Sequence, residues 1–237
     1  MKLREIEQLN KRFRDESAQD ILEYFLSRYR DKIVLSTSFG AEDQVLTDMA
    51  LNIDQNLEIF TLDTGRLSES TYRVWSKSQL RYGVKIEPFV PDRAELEGLI
   101  ESDGVYGFYD SIQKRKECCR VRKIEPLKRA LKGRQVWITG VRREQSPTRS
   151  DMAIVEYDST FDLIKINPLL EWSTDMIWSY IKEHNTPYNE LHDIGYPSIG
   201  CEPCTRAVKS GEDIRAGRWW WEEPEHKECG LHSRSSR

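Results

Sequence analysis

Five cysteines are the residues of this chain best suited to chemistry, and four of them form two close pairs. Cys118 and Cys119 are adjacent within the basic stretch KRKECCRVRK, and Cys201 and Cys204 form the C-x-x-C motif CEPC. The C-x-x-C spacing lets two sulfurs reach one metal site from a single turn. Buried thiols or a disulfide explain the other pair less well, because neighbouring helical residues point about 100° apart and a disulfide between neighbours is strained. The pattern therefore favours metal ligation by all four.

The adjacency of Cys118 and Cys119 bears on the kind of metal group. A four-cysteine zinc site usually takes two C-x-x-C-like pairs around one small ion, which adjacent cysteines suit poorly. A 4Fe-4S cluster is larger, and its four corners each need one thiolate, so neighbouring cysteines can serve two corners if the helix bends there. Six basic residues surround the pair and would balance the negative charge of a cluster, although a solvated helix face explains some of them. The pattern predicts a 4Fe-4S cluster.

Cys229 is the fifth cysteine and lies in the segment HKECGLH. A buried structural thiol is more typical of a periodic apolar segment, and Gly230 favours a mobile or tightly turned backbone. His226, Lys227 and His232 are close in sequence and would lower the pKa of the thiol, whereas Glu228 opposes this effect. A thiolate in such a segment can act as a nucleophile. An incidental exposed thiol explains the position equally well.

The composition is that of an ordinary folded chain. Its 237 residues suffice for one large or two small domains, 32% of them are charged, and the net charge is −4. The acidic balance gives no indication of nucleic-acid binding, and no apolar run is long enough for a signal peptide or a membrane span. We therefore expect a cytoplasmic protein with neither a membrane nor a nucleic-acid partner. In a reducing compartment its cysteines are metal ligands or reactive thiols rather than disulfides.

Strands alternate with helices along most of the chain. Apolar positions at helical spacing over residues 3–29 predict two amphipathic helices, and the stretch around Cys118 is predicted to be largely helical. Ser173 is a predicted N-cap of the helix STDMIWSYIKEH. Strands are predicted at KIVLS, LEIFTL, VKIEPFVP and QVWITGV, with a hairpin or further strand at AIVEYD and DLIKINPLL. This alternation predicts an α/β fold with a mainly parallel sheet flanked by helices, in which ligands bind at the carboxyl ends of the strands.

Taken together, these features resemble one family, the assimilatory adenylyl-sulfate reductases of the cluster-containing bacterial type that uses thioredoxin. The resemblance covers nearly the whole chain. It is carried by STSFGAEDQV, TLDTGR, KECCRVRK, WITGVRREQSPTRS, IKINPL, YPSIGCEPCTR, GEDIRAGRWWWE and ECGLH. The paired cysteines together with ECGLH are highly specific, whereas the Ser/Gly loop alone is a weak signal.

The resemblance implies an adenine nucleotide alpha-hydrolase-like (PP-loop) fold with an irregular C-terminal tail. Its parts would be N-terminal helices in 1–30, a nucleotide-binding α/β domain with the cluster site in 31–205, and a C-terminal segment with the nucleophile in 206–237. It implies that Cys229 attacks the sulfur of adenosine 5′-phosphosulfate, that AMP leaves, and that thioredoxin (or glutaredoxin) then releases sulfite from the S-sulfocysteine. In the family the cluster is needed for activity but is not thought to change redox state. A homo-oligomer remains open.

The resemblance also assigns roles to individual residues. The catalytic set is Cys229, His232 and Lys123. The substrate-binding set is Ser36, Ser38, Gly40, Leu62, Asp63, Thr64, Gly65, Gly140, Arg149, Arg215 and Arg218. The backbone amides around Ser36, Ser38 and Gly40 lie at a predicted helix N-terminus, where they can bind an anion. The cations would screen the negatively charged sulfuryl group from the incoming thiolate. Arg215 and Arg218 are three residues apart, so one helix face is expected to present both. Without the resemblance, each group has an ordinary explanation. The loop residues could simply form loops, Arg215 and Arg218 could be a surface pair without a ligand, and His232 could be an exposed tail residue.

Three other functions are consistent with parts of the pattern. The first is reduction of the substrate that carries a 3′-phosphate (PAPS), alone or in addition. The second is RNA thiolation, which would need the lysine of ATP-type S-G-G-K-D-S loops; STSFGAED lacks it, and Glu42 and Asp43 would oppose a long polyphosphate. The third is a zinc-ribbon-like nucleic-acid-binding module, against which the acidic charge and the single C-x-x-C count. The aromatic run Trp219 to Trp221 is expected to anchor a chain segment rather than to stack on a ligand.

Overall fold

The computed structural model describes residues 3–145 and 149–223. The chain forms two compact units, each assembled from separate stretches. The first unit comprises Met1–Phe60, Arg73–Glu87 and Gly133–Asn189, and the second comprises Thr61–Tyr72, Pro88–Lys132 and Glu190–Arg237. These units are defined by internal packing and not by function, so the predicted division at residues 30 and 205 stays a prediction.

The strands form one mixed and mainly parallel sheet. They are β1 (Ile33–Ser36), β2 (Glu58–Leu62), β3 (Ile86–Phe89), β4 (Val136–Ile138), β5 (Val155–Asp158) and β6 (Leu163–Ile166). The strand order is β3-β2-β1-β4-β6-β5. Strand β1 pairs in parallel with β2 and β4, β4 pairs in parallel with β6, and β5 is antiparallel to β6. The four predicted strands are confirmed, and the two later runs form a hairpin whose second strand extends the parallel part.

Helices separate the strands along the chain. They are α1 (Leu3–Arg12), α2 (Ala18–Tyr29), α3 (Ala41–Ile53), α4 (Glu69–Tyr82), α5 (Arg93–Asp103), α6 (Ile112–Cys119), α7 (Glu125–Leu131) and α8 (Thr174–His184). A π-helical turn, Arg120–Ile124, joins α6 to α7. The two predicted N-terminal helices and the helical character of the basic stretch are therefore confirmed.

Side-chain caps explain where two of these helices begin. The Ser173 hydroxyl accepts a hydrogen bond from the Met176 amide at 3.2 Å, which confirms the predicted N-cap of α8. At the start of α2, Ser17 and Asp20 form a reciprocal capping box: the Ser17 hydroxyl accepts from the Asp20 amide at 3.1 Å, and the Asp20 carboxylate accepts from the Ser17 amide at 3.2 Å.

The core of the first unit lies between the sheet and its helices. Leu35 of β1 and Ile138 of β4 are fully buried, as are Leu22 and Phe25 of α2 and Val45 of α3. Central parallel strands are covered on both faces, so their sequences are continuous apolar runs rather than alternating ones. The spacing of Leu22 and Phe25 places both on one face of α2, which turns that face towards the core.

Strand β5 lies at one edge of this sheet, and a side chain of α1 forms hydrogen bonds with its backbone. The side-chain amide of Asn10, on α1, donates to the Val155 carbonyl at 2.8 Å and accepts from the Val155 amide at 2.9 Å. One side chain thus imitates the peptide of a neighbouring strand at a position where an unpaired edge would invite association. Directly across the hairpin, Lys165 forms an ion pair with Glu156 at 3.0 Å.

The second unit contains α5, α6, the π-helical turn and α7, followed by the irregular chain after Glu190. This irregular chain includes short 3-10 turns at Glu190–Ile194 and Glu202–Cys204. None of the helices in the described part of the chain is both long and apolar enough to cross a membrane.

Candidate functional site

The loop after β1, in the first unit, carries Ser36, Ser38 and Gly40. The Ser36 hydroxyl accepts a hydrogen bond from the Trp137 indole nitrogen at 2.8 Å and so links β1 to β4. The Ser38 amide and hydroxyl both donate to the Asp43 carboxylate, at 2.6 and 2.7 Å. Gly40 is the N-cap of α3. The Ser38 donors, which we expected to face a ligand anion, bind a carboxylate of the chain itself.

Asp43 lies at the centre of this cluster, and the sequence analysis did not place it in the site. A Cβ atom on Gly140 would overlap the Asp43 carboxylate, so a glycine is needed there. Burial raises the pKa of Asp43 to about 6, although the Ser38 donors and the positive charge of Arg149 act in the opposite direction. The first unit thus brings Ser38, Gly140 and Arg149 together around one carboxylate. An acid at the third position of a helix, where side chains turn back on the preceding loop, is the signal that could have revealed it.

Phe39 gives the loop its shape. Its backbone has φ near 60°, a left-handed conformation that is costly for a bulky residue. The side chain is fully buried and stacks on Trp75, with ring centroids 5.5 Å apart. Strained backbone of this kind persists only where the surroundings impose it, and it concentrates at functional sites. Nothing local in the sequence indicates this strain.

Two buried arginines follow β4 in the first unit. Arg149 is buried and donates a hydrogen bond to the side chain of Gln145. Arg142, which was not predicted, forms ion pairs with Glu42 at 2.8 Å and with Glu144 at 3.0 Å. The side chain of Arg142 is 4% exposed, and these carboxylates help to compensate the burial of its charge.

The loop after β2, in the second unit, contains Leu62, Asp63, Thr64 and Gly65. Leu62 ends the strand, and Gly65 adopts a left-handed φ of 67°. The Asp63 carboxylate accepts hydrogen bonds from the Gly65 amide and from the Tyr72 hydroxyl, both at 2.9 Å. Burial and the bond to Asp63 raise the pKa of Tyr72 to about 12. These contacts fix the loop so that Thr64 faces the cysteines.

All four paired cysteines lie in the second unit, and none of the four forms a disulfide. Cys119 and Cys201 are buried, and Cys118 and Cys204 are half-buried. Burial raises the pKa of Cys118 and raises that of Cys204 to about 12, and negative charge on Cys201 adds to both shifts. Negative charge on Cys119 also raises the pKa of Cys204. The two pairs are therefore close enough to influence each other's ionisation.

Cys201 differs from its neighbours. Burial opposes ionisation of its thiol, but Lys123, the Thr64 hydroxyl, Arg218 and Arg122 together hold the pKa below the ordinary value for cysteine. The Thr64 oxygen lies 3.3 Å from the Cys201 sulfur. The structure thus brings three predicted site residues, Lys123, Thr64 and Arg218, together around one thiol.

The basic residues flanking Cys118 and Cys119 divide into two groups. Lys114 and Arg120 form surface ion pairs with nearby acids, at 2.9 and 2.8 Å, as a solvated helix face would. Arg115 and Arg122 are buried instead. Arg122 donates to the Thr64 carbonyl at 2.6 Å, and burial with a second arginine nearby lowers its pKa. A solvated helix face therefore does not explain Arg115 and Arg122.

The α-helical geometry changes immediately after the adjacent cysteines. Cys119 is the last residue of α6, and the π-helical turn begins at Arg120. A π-helical turn widens the winding and shifts the direction of the side chains that follow, and such turns are frequent at functional sites. Lys123, whose positive charge lowers the pKa of Cys201, lies within this turn.

Arg215 and Arg218 lie in turns, so the expectation that one helix face presents both was wrong. Arg218 instead pairs with Thr205 in an isolated antiparallel bridge, which a helix would not permit. Both guanidinium groups lie near the Trp219 ring, at 6.0 Å for Arg215 and 4.7 Å for Arg218. A Cβ atom on Gly200 would overlap the Arg218 guanidinium, which explains the glycine before CEPC.

The aromatic run was expected to anchor a chain segment, and two of its three members do so within the second unit. Trp219 is 1% exposed. Trp221 contacts Phe108 and Tyr109, with ring centroids 6.1 and 4.4 Å apart. Trp220 is 40% exposed and lies at the surface of the second unit.

Two predicted catalytic residues, Cys229 and His232, lie outside the described residues. Within 3–145 and 149–223, no group of three or more His, Cys, Asp or Glu side chains is arranged to hold a single metal ion. The roles of Cys229 and His232, like the cluster, therefore stay predictions.

Comparison with known proteins identifies the fold class. The crystal structure of phosphoadenylyl-sulfate (PAPS) reductase from Candida auris, a phosphate complex, superposes with a TM-score of 0.76 at 27% identity, covering 88% of this chain and 98% of that one. FMN adenylyltransferase of Candida glabrata, solved with FAD and inorganic pyrophosphate, shares the fold at a TM-score of 0.56 and 18% identity, covering 94% of this chain and 80% of that one. The predicted PP-loop type of α/β fold is confirmed.

Sequence comparison identifies the family. The model of the phosphoadenosine phosphosulfate reductase domain matches residues 32–207. The adenosine 5′-phosphosulfate reductase of Allochromatium vinosum is 52% identical over 207 residues, which are 87% of this chain and 81% of that protein. The chain therefore belongs to the phosphoadenosine phosphosulfate reductase family.

Proposed function

We propose that this chain reduces adenosine 5′-phosphosulfate (APS) to sulfite and AMP, as an oxidoreductase acting on a sulfur group in sulfate assimilation. The observation that carries the proposal is the grouping of Lys123, Thr64 and Arg218 around Cys201 within the second unit, in a chain of this family. The bacterial relative named above is itself called an APS reductase.

The reaction has two sulfur-transfer steps. The Cys229 thiolate attacks the sulfur of APS, an S–S bond forms, the S–O bond to the phosphate breaks, and AMP leaves with the electron pair. A thiolate of thioredoxin (or glutaredoxin) then attacks Cys229 Sγ and displaces sulfite. The second thiol of that reductant resolves the mixed disulfide, so the reductant becomes a disulfide and Cys229 is again a thiol. The dithiol supplies both electrons.

The cations of the second unit make the first step electrostatically feasible. Both the sulfuryl group and the incoming thiolate are negative, so positive groups must screen their approach. Lys123 and Arg218 lower the pKa of the buried Cys201 thiol, which supports a screening role for their positive charge. We assign Lys123, Arg215 and Arg218 to the phosphosulfate and His232 to the reacting sulfur.

The four paired cysteines would hold a 4Fe-4S cluster. Four thiols in one unit beside a buried arginine suit an anionic cluster, whose charge the protein must balance. The buried Arg122 Nε has no hydrogen-bond partner within the described residues, and a cluster sulfur would be a suitable acceptor. When bound, the cluster would supply fixed negative charge that orders these cations, whereas the electrons come from the dithiol.

Reduction of the 3′-phosphorylated substrate is the second candidate, because the Candida auris structure is of a PAPS reductase. Two features of the first unit favour the substrate without that phosphate. The stretch from Ser36 to Asp43 contains no lysine or arginine, and the Ser38 donors already bind a carboxylate. We therefore expect APS to be preferred. We also propose that the protein acts in the cytoplasm.

The test is to incubate purified, anaerobically handled protein with APS and no reductant, and to map the product by mass spectrometry. We expect one sulfite-sized adduct on the peptide that contains Cys229 and a stoichiometric release of AMP. Adding reduced thioredoxin should release sulfite and restore the thiol.

Cys229→Ser should abolish the adduct and keep the brown colour of the cluster, whereas Cys204→Ser should lose the colour. Repeating the incubation with PAPS separates the two candidate functions, because a faster reaction with PAPS would reverse the preferred substrate. An adduct that survives in Cys229→Ser would show that the proposed nucleophile is wrong.

A further inference from the structure

A buried ion pair joins the helix of the adjacent cysteines to the last described residues of the chain. Arg115, on α6, donates from Nε to Glu222 Oε1 at 2.8 Å and from a terminal nitrogen to Glu222 Oε2 at 2.6 Å. The two side chains are only 1% and 2% exposed and are separated by 107 residues in the sequence. Such a two-point contact fixes orientation as well as distance.

Each partner of this pair is tied to one of the elements that the reaction needs. Arg115 lies three and four residues before Cys118 and Cys119, on the same side of α6, and its charge interacts with Cys119. Its guanidinium also lies 4.9 Å from the centre of the Trp219 ring. On the other side, the Glu222 amide donates to the Trp219 carbonyl at 2.8 Å, so the carboxylate belongs to a tight turn.

Stability alone does not explain this arrangement. Removing two charges from water costs about as much as their attraction returns, and well-packed apolar residues of similar volume often replace a buried ion pair without loss of stability. What an apolar pair cannot supply is the directed, two-point contact. The pair therefore specifies where the chain at Glu222 lies relative to α6.

We propose that Arg115 and Glu222 are positioning residues for the sulfur-transfer step. Cys229 follows Glu222 by seven residues, and a chain of that length spans at most about 25 Å. The ion pair sets the origin of this span relative to the helix that carries Cys118 and Cys119. The inference rests on the proposed function, because it assumes that Cys229 is the nucleophile.

The test compares single-turnover kinetics of adduct formation on Cys229 in three variants. In Arg115→Met/Glu222→Leu, both charges are replaced by apolar side chains of similar size, so that no charge is left buried alone. We expect the rate of adduct formation at saturating APS to fall at least tenfold, while the KM for APS, the iron content and the visible spectrum stay within twofold. Arg115→Lys keeps the positive charge but not the two-point contact, so its rate of adduct formation should fall less than that of the double variant.

Glu222→Asp keeps the charge and shortens the reach, so it carries the test if the double variant does not fold; we expect at least a fivefold slower adduct formation at unchanged KM. Arg93→Gln/Glu97→Gln, which removes an exposed ion pair of α5 in the same unit, is the matched control and should react as the wild type does. Unchanged adduct rates in Glu222→Asp, or a rise in KM without a fall in rate, would overturn the positioning role. Failure of the proposed function is distinguishable, because the wild type would then form no adduct at all.

Discussion

At the scale of single residues, Asp43 decides the character of the loop after β1. Its carboxylate accepts the Ser38 amide and hydroxyl and occupies the space that Gly140 leaves by having no side chain. A carboxylate that is partly removed from water binds its proton more tightly than it does in the unfolded chain. The folded state therefore holds a proton at Asp43 over a range of pH in which the unfolded chain has already lost it.

This gives a pH-dependent contribution to stability with a definite sign. The pKa of Asp43 is raised from 3.8 to about 6, so its contribution to the free energy of unfolding falls as pH rises through this window and stays low above it. The loss is at most about 3 kcal/mol, and smaller because the residue is partly exposed. The free energy of unfolding of Asp43→Asn, minus that of the wild type, should therefore be larger at pH 7.5 than at pH 4.5. Urea unfolding at the two pH values measures this difference. Asp15→Asn, at an exposed acid, is the control, and its free energy of unfolding should change with pH as that of the wild type does. The same pH dependence in both variants would contradict the prediction.

Residue pairs that are close in sequence could be predicted, and distant ones could not. The Ser173 cap needs only the residue three positions later, so a local pattern reveals it. Arg115 and Glu222 have no such signal, because 107 residues separate them and each alone resembles a surface charge. Arg215 and Arg218 are the opposite case: a spacing of three suggested a helix, but the segment forms turns, and Arg218 pairs with Thr205 in an isolated bridge.

At the scale of elements, strands and helices follow from periodicity, but their interruptions do not. The apolar runs at β1 and β4 are long enough to identify buried parallel strands without any knowledge of the fold. The π-helical turn after Cys119 lies within a continuous helical pattern, and the left-handed Phe39 lies in an ordinary polar loop. Both depend on contacts made by the folded chain, which a periodicity analysis does not contain.

The covering of β5 by α1 can be tested at one residue. Asn10→Ala leaves the buried Val155 amide and carbonyl without their side-chain partners, at a cost of about 2 to 3 kcal/mol in the free energy of unfolding. We also expect faster aggregation, because the strand edge becomes available to other chains. Chemical denaturation and light scattering measure the two effects.

Gln8→Ala, at an exposed position of the same helix, is the control and should change stability by less than about 0.5 kcal/mol. If Asn10→Ala and Gln8→Ala were equally stable, the edge-covering role of Asn10 would be refuted.

At the scale of the whole molecule, the two units carry different parts of the predicted chemistry. Ser38, Gly140 and Arg149 belong to the first unit, whereas the four paired cysteines, Lys123, Arg215 and Arg218 belong to the second. The sequence predicted these residues through their motifs, but it did not indicate that they divide between units built from interleaved stretches. Interleaving arises from packing between distant stretches, for which a single sequence has no direct signal.

This division predicts which unit loses protection from hydrogen exchange when a chelator removes the proposed iron. Because the thiols that would bind the cluster all lie in the second unit, anaerobic chelation should deprotect backbone amides there, above all in α6 and α7. Amides of β1, β4 and β6 in the first unit should keep most of their protection. Hydrogen exchange followed by mass spectrometry, before and after chelation, makes the comparison.

An equal loss of protection in both units would show that the cluster stabilises the chain as a whole. No change in either unit would show that these thiols do not hold a stabilising group.

The order in which the second unit is assembled from the chain has a consequence for biosynthesis. Cys118 and Cys119 are translated before β4, β5, β6 and α8, and Cys201 and Cys204 are translated only after them. The nascent chain therefore carries one thiol pair without its partners while the residues from Arg120 to Gly200 are added. Assembly of the proposed cluster would have to follow translation of Cys204, and until then the first pair would be open to oxidants and stray metals.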